Sequence, residues 1–186
     1  LASLPPPASA APWPADAPSP RAPRTASTAP LVPLGGKTAP PLYLRDARGR
    51  PVDLRDFAGE AVLVNFWGCW CGPCIREMDS LARLNGHLAG RRFRLLAVNI
   101  GESPAEVGEF FERLGGRPGF DVLYDRQGEA AKAWSVYTIP STYLVDGLQG
   151  VRYGYRGALE WDSPEIVELL QELADRAPHA ARRKGG

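Results

Sequence analysis

Trp70-Cys71-Gly72-Pro73-Cys74 stands where a strand pattern gives way to a helix pattern. Ahead of it runs Ala61-Val62-Leu63-Val64-Asn65-Phe66-Trp67, mostly apolar and without strict alternation. Such a run suits a central strand covered on both faces. Behind it, from Gly72 toward Leu88, Ile75, Met78, Leu81, Leu84 and Leu88 recur at helical spacing. Two cysteines separated by two residues at a strand-to-helix junction imply a thiol–disulfide redox pair. A helix N-terminus offers unpaired N–H groups and the positive end of the helix dipole. A thiolate placed there is stabilised and becomes a nucleophile near neutral pH. Pro73 has no N–H to leave unpaired in that first turn, and its fixed φ suits a helix start. Gly72 is expected to keep Cys71 accessible to a large partner.

Composition narrows the alternatives. The chain has 186 residues, room for one ordinary domain and a tail, and its hydrophobic content of 44% suffices for a packed core. A formal net charge of +1 gives no footprint for nucleic acid or for an anionic membrane surface. All 3 cysteines lie between Cys69 and Cys74, which is no scattered disulfide framework. No run approaches transmembrane length. Leu1 to Pro41 holds 12 of the 19 prolines, with Ala, Ser and Thr filling much of the rest. Residues 1–39 are therefore expected to form a Pro/Ala-rich disordered linker. Its composition leaves open whether it tethers a catalytic domain to a membrane anchor or has no role.

The domain is expected over residues 40–178. Leu42 to Leu54 suggests a short hairpin, and Leu54 to Gly59 one helical turn or a loop. After the dithiol come a strand over Phe93–Ile100 and a helix with Ser103 as N-cap, Pro104 and Glu106. A short strand over 120–124 and a short helix over 128–134 follow. Thr142–Val145 and Val151–Tyr155 make an antiparallel pair, and Ser163-Pro164 caps a last helix that Pro178 ends. Residues 179–186 are a solvated basic tail. This order predicts an α/β fold, a mixed sheet with helices on both faces.

The segment Asn65 to Cys74 resembles the active-site segment of thioredoxin-fold proteins. Arg76-Glu77-Met78, Val98-Asn99-Ile100-Gly101-Glu102-Ser103 and Thr138 to Asp146 point further, to the TlpA/ResA-like thiol–disulfide oxidoreductases. The resemblance covers roughly Pro40 to Ala177. It implies a thioredoxin fold with an N-terminal β-hairpin extension. It also implies an exported, periplasmic or otherwise extracytoplasmic bacterial reductant of a few protein disulfides, for example those of apocytochrome c. A membrane thiol–disulfide electron donor would re-reduce it, and an N-terminal membrane tether could precede the chain.

Cys71 is the expected nucleophile, forming a mixed disulfide that Cys74, one helical turn on, resolves. Neither a cofactor nor a metal is expected, since a zinc site usually needs four ligands and no second cysteine pair exists. The resemblance places a cis proline at Pro140 opposite the dithiol, so that the Ile139 backbone can pair with an extended substrate segment. It also gives Glu77 a proton-transfer role. Asn65 stands where thioredoxin has a buried Asp and cannot act as a base. Glu77, three residues after Cys74, shares its helix face and would gain a raised pKa from partial desolvation. Trp70, Gly72 and Pro73 complete the substrate surface, while Trp67 belongs to the core. Glu102, past a parallel strand end, either lines this site or is an ordinary loop carboxylate. Cys69 is unusual for the resembled family. It packs as a small hydrophobe, acts as an alternative thiol, or captures a soft metal such as Cu(I) with Cys71 and Cys74. The competing functions are therefore a disulfide-forming oxidase of the same fold and a copper chaperone. A peroxidase fits less well, because the cysteine segment lacks Pro-x-x-x-Thr/Ser-x-x-Cys.

Overall fold

The computed structural model describes residues 31–176. Pro178, the basic tail and most of the linker lie outside them. The strands are β1 (Val32–Thr38), β2 (Tyr43–Asp46), β3 (Pro51–Asp53), β4 (Ala61–Trp67), β5 (Phe93–Ile100), β6 (Asp121–Asp125), β7 (Ser141–Val145) and β8 (Gly150–Arg156). The helices are α1 (Gly72–His87), α2 (Pro104–Arg113), α3 (Glu129–Ala133) and α4 (Pro164–Arg176), with a 3-10 turn over Leu54–Phe57.

One sheet runs in the order β1-β8-β7-β4-β5-β6-β2-β3. β4, β5 and β6 are parallel; β7 pairs antiparallel with β4, and β8 with β7. The mixed sheet flanked by helices is the architecture the resemblance implies. Every residue of β4 is buried, as a strand covered on both faces must be. Side-chain alternation divides it. Val62, Val64 and Phe66 pack with Leu96, Val98, Ala131 and Trp134 on the α3 face. Leu63 and Trp67 pack with Met78, Leu81, Leu84, Phe110, Phe111 and Leu170, under α1, α2 and α4. Asn65 shares the parity of Leu63 and Trp67, so period two alone aims its amide at α1.

The hairpin β2–β3 forms as expected and docks on β6, at the far edge of the sheet from β1. The strand β1 differs from expectation, for it lies within the stretch whose composition suggested a linker. Val-Pro-Leu-Gly-Gly-Lys-Thr has little strand propensity. What makes it a strand is a partner about 120 residues away: Val32 pairs with Gly154 and Lys37 with Val151. Pro33 is tolerated because β1 is an edge strand. Gly35 and Gly36, both at φ 72°, carry the irregularity between the two paired segments. Gly154 leaves room for Leu34, whose Cδ1 would sit 2.8 Å from any Cβ there.

The close approach of β1 to β8 makes Gly150 a sensitive position. A Cβ at Gly150 would lie 2.9 Å from the carbonyl oxygen of Gly36, a backbone atom. Gly150→Ala is expected to push β1 outward and cost about 1–3 kcal/mol, the usual range for overpacking. Hydrogen exchange should show lost protection at the β1 amides, with those of α1 unchanged.

Candidate active site: a capped disulfide beside a buried carboxylate

The chain leaves β4 through a turn at Gly68–Trp70, closed by a Cys71 N–H to Gly68 carbonyl bond of 3.1 Å. Gly68 is needed here, because a Cβ would lie 2.8 Å from the Trp70 indole nitrogen. Cys71, in extended conformation, is the N-cap of α1, and Pro73 occupies the first turn. The Cys74 N–H donates to Cys71 Sγ at 3.2 Å, and the two cysteines form a disulfide. The Ile139–Pro140 peptide is cis, and the Ile139 carbonyl oxygen lies 3.7 Å from Cys71 Sγ. Cys71 is only 6% exposed, less open than expected, because the Ile139–Pro140 loop closes over its sulfur. Beside it in the chain, Trp70 is 69% exposed. Tyr137, two residues before Ile139 and unremarked in the sequence, is 81% exposed.

Behind the disulfide lies a carboxylate. Glu77 is 1% exposed, fully rather than partly desolvated. Three donors face it: Asn65 Nδ2 at 2.8 Å on Oε1, and the Leu159 N–H at 3.1 Å and Trp161 Nε1 at 2.9 Å on Oε2. Burial pushes its pKa up to about 7, while the bonds from Trp161, Asn65 and Leu159 hold it down. Asn65 also donates to Thr142 Oγ1 at 2.9 Å, its directly opposed partner across β4–β7. The loop bearing Leu159 and Trp161 carries no sequence signal linking it to the dithiol.

Glu102 joins the site. Its Oε2 accepts from the Cys69 N–H and from Asn99 Nδ2, both at 2.8 Å, pinning the turn before Cys71 to the end of β5. Cys69 is half-buried and outside the disulfide. Burial first, then the Glu102 charge and hydrogen bond, push its thiol up to about 12. Among the described residues no group of three His, Cys, Asp or Glu is placed to hold a metal. Trp67 is buried against Phe111 and Phe110, at centroid distances of 5.5 and 5.9 Å.

Residues 35–154, well over half of the chain, match the AhpC/TSA family. The chain belongs to that family. It is 40% identical over 90 residues to the thiol-disulfide oxidoreductase ResA of Geobacillus kaustophilus, covering 48% of this chain and 51% of that one. To the thiol:disulfide interchange protein DsbE of Xylella fastidiosa it is 35% identical over 129 residues, covering 67% and 61%. The chain thus spans between half and two thirds of the length of these curated relatives. Among solved structures, a thioredoxin family thiol:disulfide interchange protein of Chlorobium tepidum superposes with a TM-score of 0.63. That superposition covers 73% of this chain and 97% of the other; at 22% identity the likeness is one of fold. The thioredoxin-like fold and the ResA-type relatives agree with the motif resemblance.

Two outcomes follow from these environments. Between pH 4.5 and about 7 folded Glu77 keeps a proton that the unfolded chain has released. Stability therefore falls as pH rises through that window, by on the order of 3 kcal/mol. Subtracting the pH–stability curve of Glu77→Gln from that of the wild type should isolate this fall. For Cys69, alkylation by iodoacetamide at pH 8 should run roughly a thousandfold slower than for a free cysteine, since almost no thiolate is present. Glu102→Gln should quicken it severalfold, as followed by mass spectrometry with the disulfide intact.

Proposed function

We propose that this protein is an extracytoplasmic thiol–disulfide oxidoreductase that reduces disulfides in a few partner proteins through Cys71 and Cys74. The observation that carries the reading is the Cys74 N–H directed at Cys71 Sγ on a helix N-terminus. In the reduced protein that donor and the helix dipole stabilise a Cys71 thiolate. The thiolate attacks one sulfur of a substrate disulfide, forming a mixed disulfide and releasing a substrate thiolate. Glu77 takes the proton of Cys74, and the Cys74 thiolate attacks Cys71 Sγ, releasing the second substrate thiolate. Two electrons pass to the substrate, and the Cys71–Cys74 disulfide remains.

The Ile139 backbone, beside the cis Pro140, offers main-chain hydrogen bonding to an extended substrate segment. Trp70, with Gly72 and Pro73, forms the apolar margin. The names of the ResA and DsbE relatives support the activity. The resemblance to the exported TlpA/ResA-like branch supports an extracytoplasmic location. Apocytochrome c cysteines before haem attachment are the substrate we favour, with a membrane thiol–disulfide protein as electron donor and the Pro/Ala-rich N-terminal segment as tether to a membrane anchor. Among the described residues no helix is long and apolar enough to cross a membrane. The copper-chaperone alternative would show as stoichiometric Cu(I) binding by the reduced protein that is lost in Cys69→Ser.

Cys71→Ala should abolish disulfide reduction, and Cys74→Ala should accumulate mixed disulfides with partners, recoverable from the envelope and identified by mass spectrometry. An active wild type whose Cys74→Ala variant captures nothing would reverse the assigned order of attack. A reduction potential near about −120 mV, that of a strong disulfide donor, would reverse the direction in favour of the oxidase.

A further inference from the structure

The carboxylate of Glu77 is contacted by an element that neither the motif nor the dithiol segment contains. The loop that follows β8, residues 157–162, lies along α1 and is fastened to it at three places one turn apart. The Leu159 N–H donates to Glu77 Oε2 at 3.1 Å. The Trp161 N–H donates to Ser80 Oγ at 3.2 Å, and Ser80 Oγ also contacts the carbonyl oxygens of Glu77 at 2.8 Å and Leu159 at 3.3 Å. Asp162 accepts from Arg83 Nε at 2.5 Å. Held in this way, the Trp161 ring is 0% exposed, packs edge-on to Tyr155, and brings its indole N–H to Glu77 Oε2 at 2.9 Å.

We propose that Trp161 is a positioning residue for the dithiol chemistry, its indole N–H tuning the proton held by Glu77. The inference rests on the proposed acid–base role of Glu77. An indole N–H donates and never accepts, and a bond to an ionised acceptor is roughly twice as strong as one to a neutral acceptor. Trp161 therefore favours the carboxylate over the carboxylic acid and opposes the effect of burial. It keeps the group able to exchange a proton near neutrality rather than locked in the acid form.

The other groups facing Glu77 leave the indole this influence. Asn65 from β4 is neutral, as is Thr142 behind it, and Leu159 offers only its backbone N–H. Glu160 and Asp162 flank Trp161, but both pair with Arg83, at 3.5 and 2.5 Å. No charged side chain contributes to the Glu77 shift. On α1 itself the titratable neighbour is Cys74, three residues earlier, once the disulfide is reduced.

The test is a titration of Glu77 by its side-chain carboxyl ¹³C resonance, in wild type and in Trp161→Phe, which keeps an aromatic ring and loses the donor. Both proteins are measured with the disulfide formed. The expected result is a midpoint raised by about one pH unit in the variant. The acid limb of the rate of disulfide reduction should move the same way, with KM unchanged. A midpoint that stays or falls overturns the inference.

A second measurement needs no variant at Trp161. In the wild type the indole ¹⁵N–¹H resonance of Trp161 should titrate with the midpoint of Glu77, and this titration should vanish in Glu77→Gln. An indole signal flat across the Glu77 transition likewise overturns the inference. If Glu77→Gln leaves the acid limb of the rate in place, it is the acid–base reading of Glu77 that fails. The carboxyl and indole titrations still decide whether Trp161 sets its proton.

Discussion

The bond from the Cys74 N–H to Cys71 Sγ is the contact that gives the fold its chemical purpose. It exists only because a chain leaving the centre of a mixed sheet turns sharply and starts a helix at once. The sheet supplies the first condition, with β4 fully buried between β5 and β7, its end fixed to within one residue by both registers. Gly68 supplies the second by letting the Trp70 ring fold back over the turn. Glu102 supplies a third, holding the Cys69 N–H to the end of the neighbouring strand. With these in place, Cys71 has no freedom to be anything but the cap of α1. The N–H groups of a first helical turn, which need an external acceptor, find one in sulfur.

The same helix buries a carboxyl group, and here opposing effects can be weighed. Three hydrogen bonds from Trp161, Asn65 and Leu159 each favour the charged form, yet the pKa of Glu77 rises to about 7 from the usual 4.5. Loss of water therefore outweighs three good donors. The balance leaves the group near half-ionised at neutral pH, where an acid–base residue is most useful. Cys69 shows what the same forces do with weaker compensation. Its thiol faces the Glu102 carboxylate, so burial and charge add, and they outweigh the opposing Arg113 charge and a backbone N–H. Two cysteines two residues apart are thereby set in opposite environments, one as helix cap and one as a half-buried thiol that keeps its proton.

Much of this could be read from the residues. The strand, the dithiol, the helix and its buried stripe are local patterns, and Ser103 with Glu106 forms the expected capping box, Glu106 Oε2 accepting from the Ser103 N–H at 2.7 Å. The placement of Asn65 under α1 needs only period two along β4. What could not be read depends on partners far away in sequence. The strand β1 is made by β8, not by its own propensities. Trp161 meets Glu77 across 84 residues, through a loop whose composition is ordinary. The depth of burial of Glu77 and Cys71 is likewise a property of what closes over them. Spacing indicated which face each side chain occupies, but not how much water remains there.

The exchange of a strand carboxylate for Asn65 with a helix carboxylate at Glu77 has a physical logic of its own. Two carboxyl groups in one dry pocket titrate as a coupled pair, with one proton shared and the second transition driven far from neutrality. Replacing one by an amide leaves a single ionisable carboxyl group and adds a donor to stabilise its charge. Both Asn65 N–H groups are engaged, one by Glu77 and one by Thr142, while its Oδ1 finds no protein partner. An amide arranged in this way sacrifices its acceptor to satisfy two others, which fixes its orientation through the carboxylate it serves. The pocket then has one proton to manage, one helix turn from Cys74. The elements around it bring no competing charge: β4 and the loop after β8 contribute donors, and β7 contributes the Thr142 hydroxyl that accepts from Asn65.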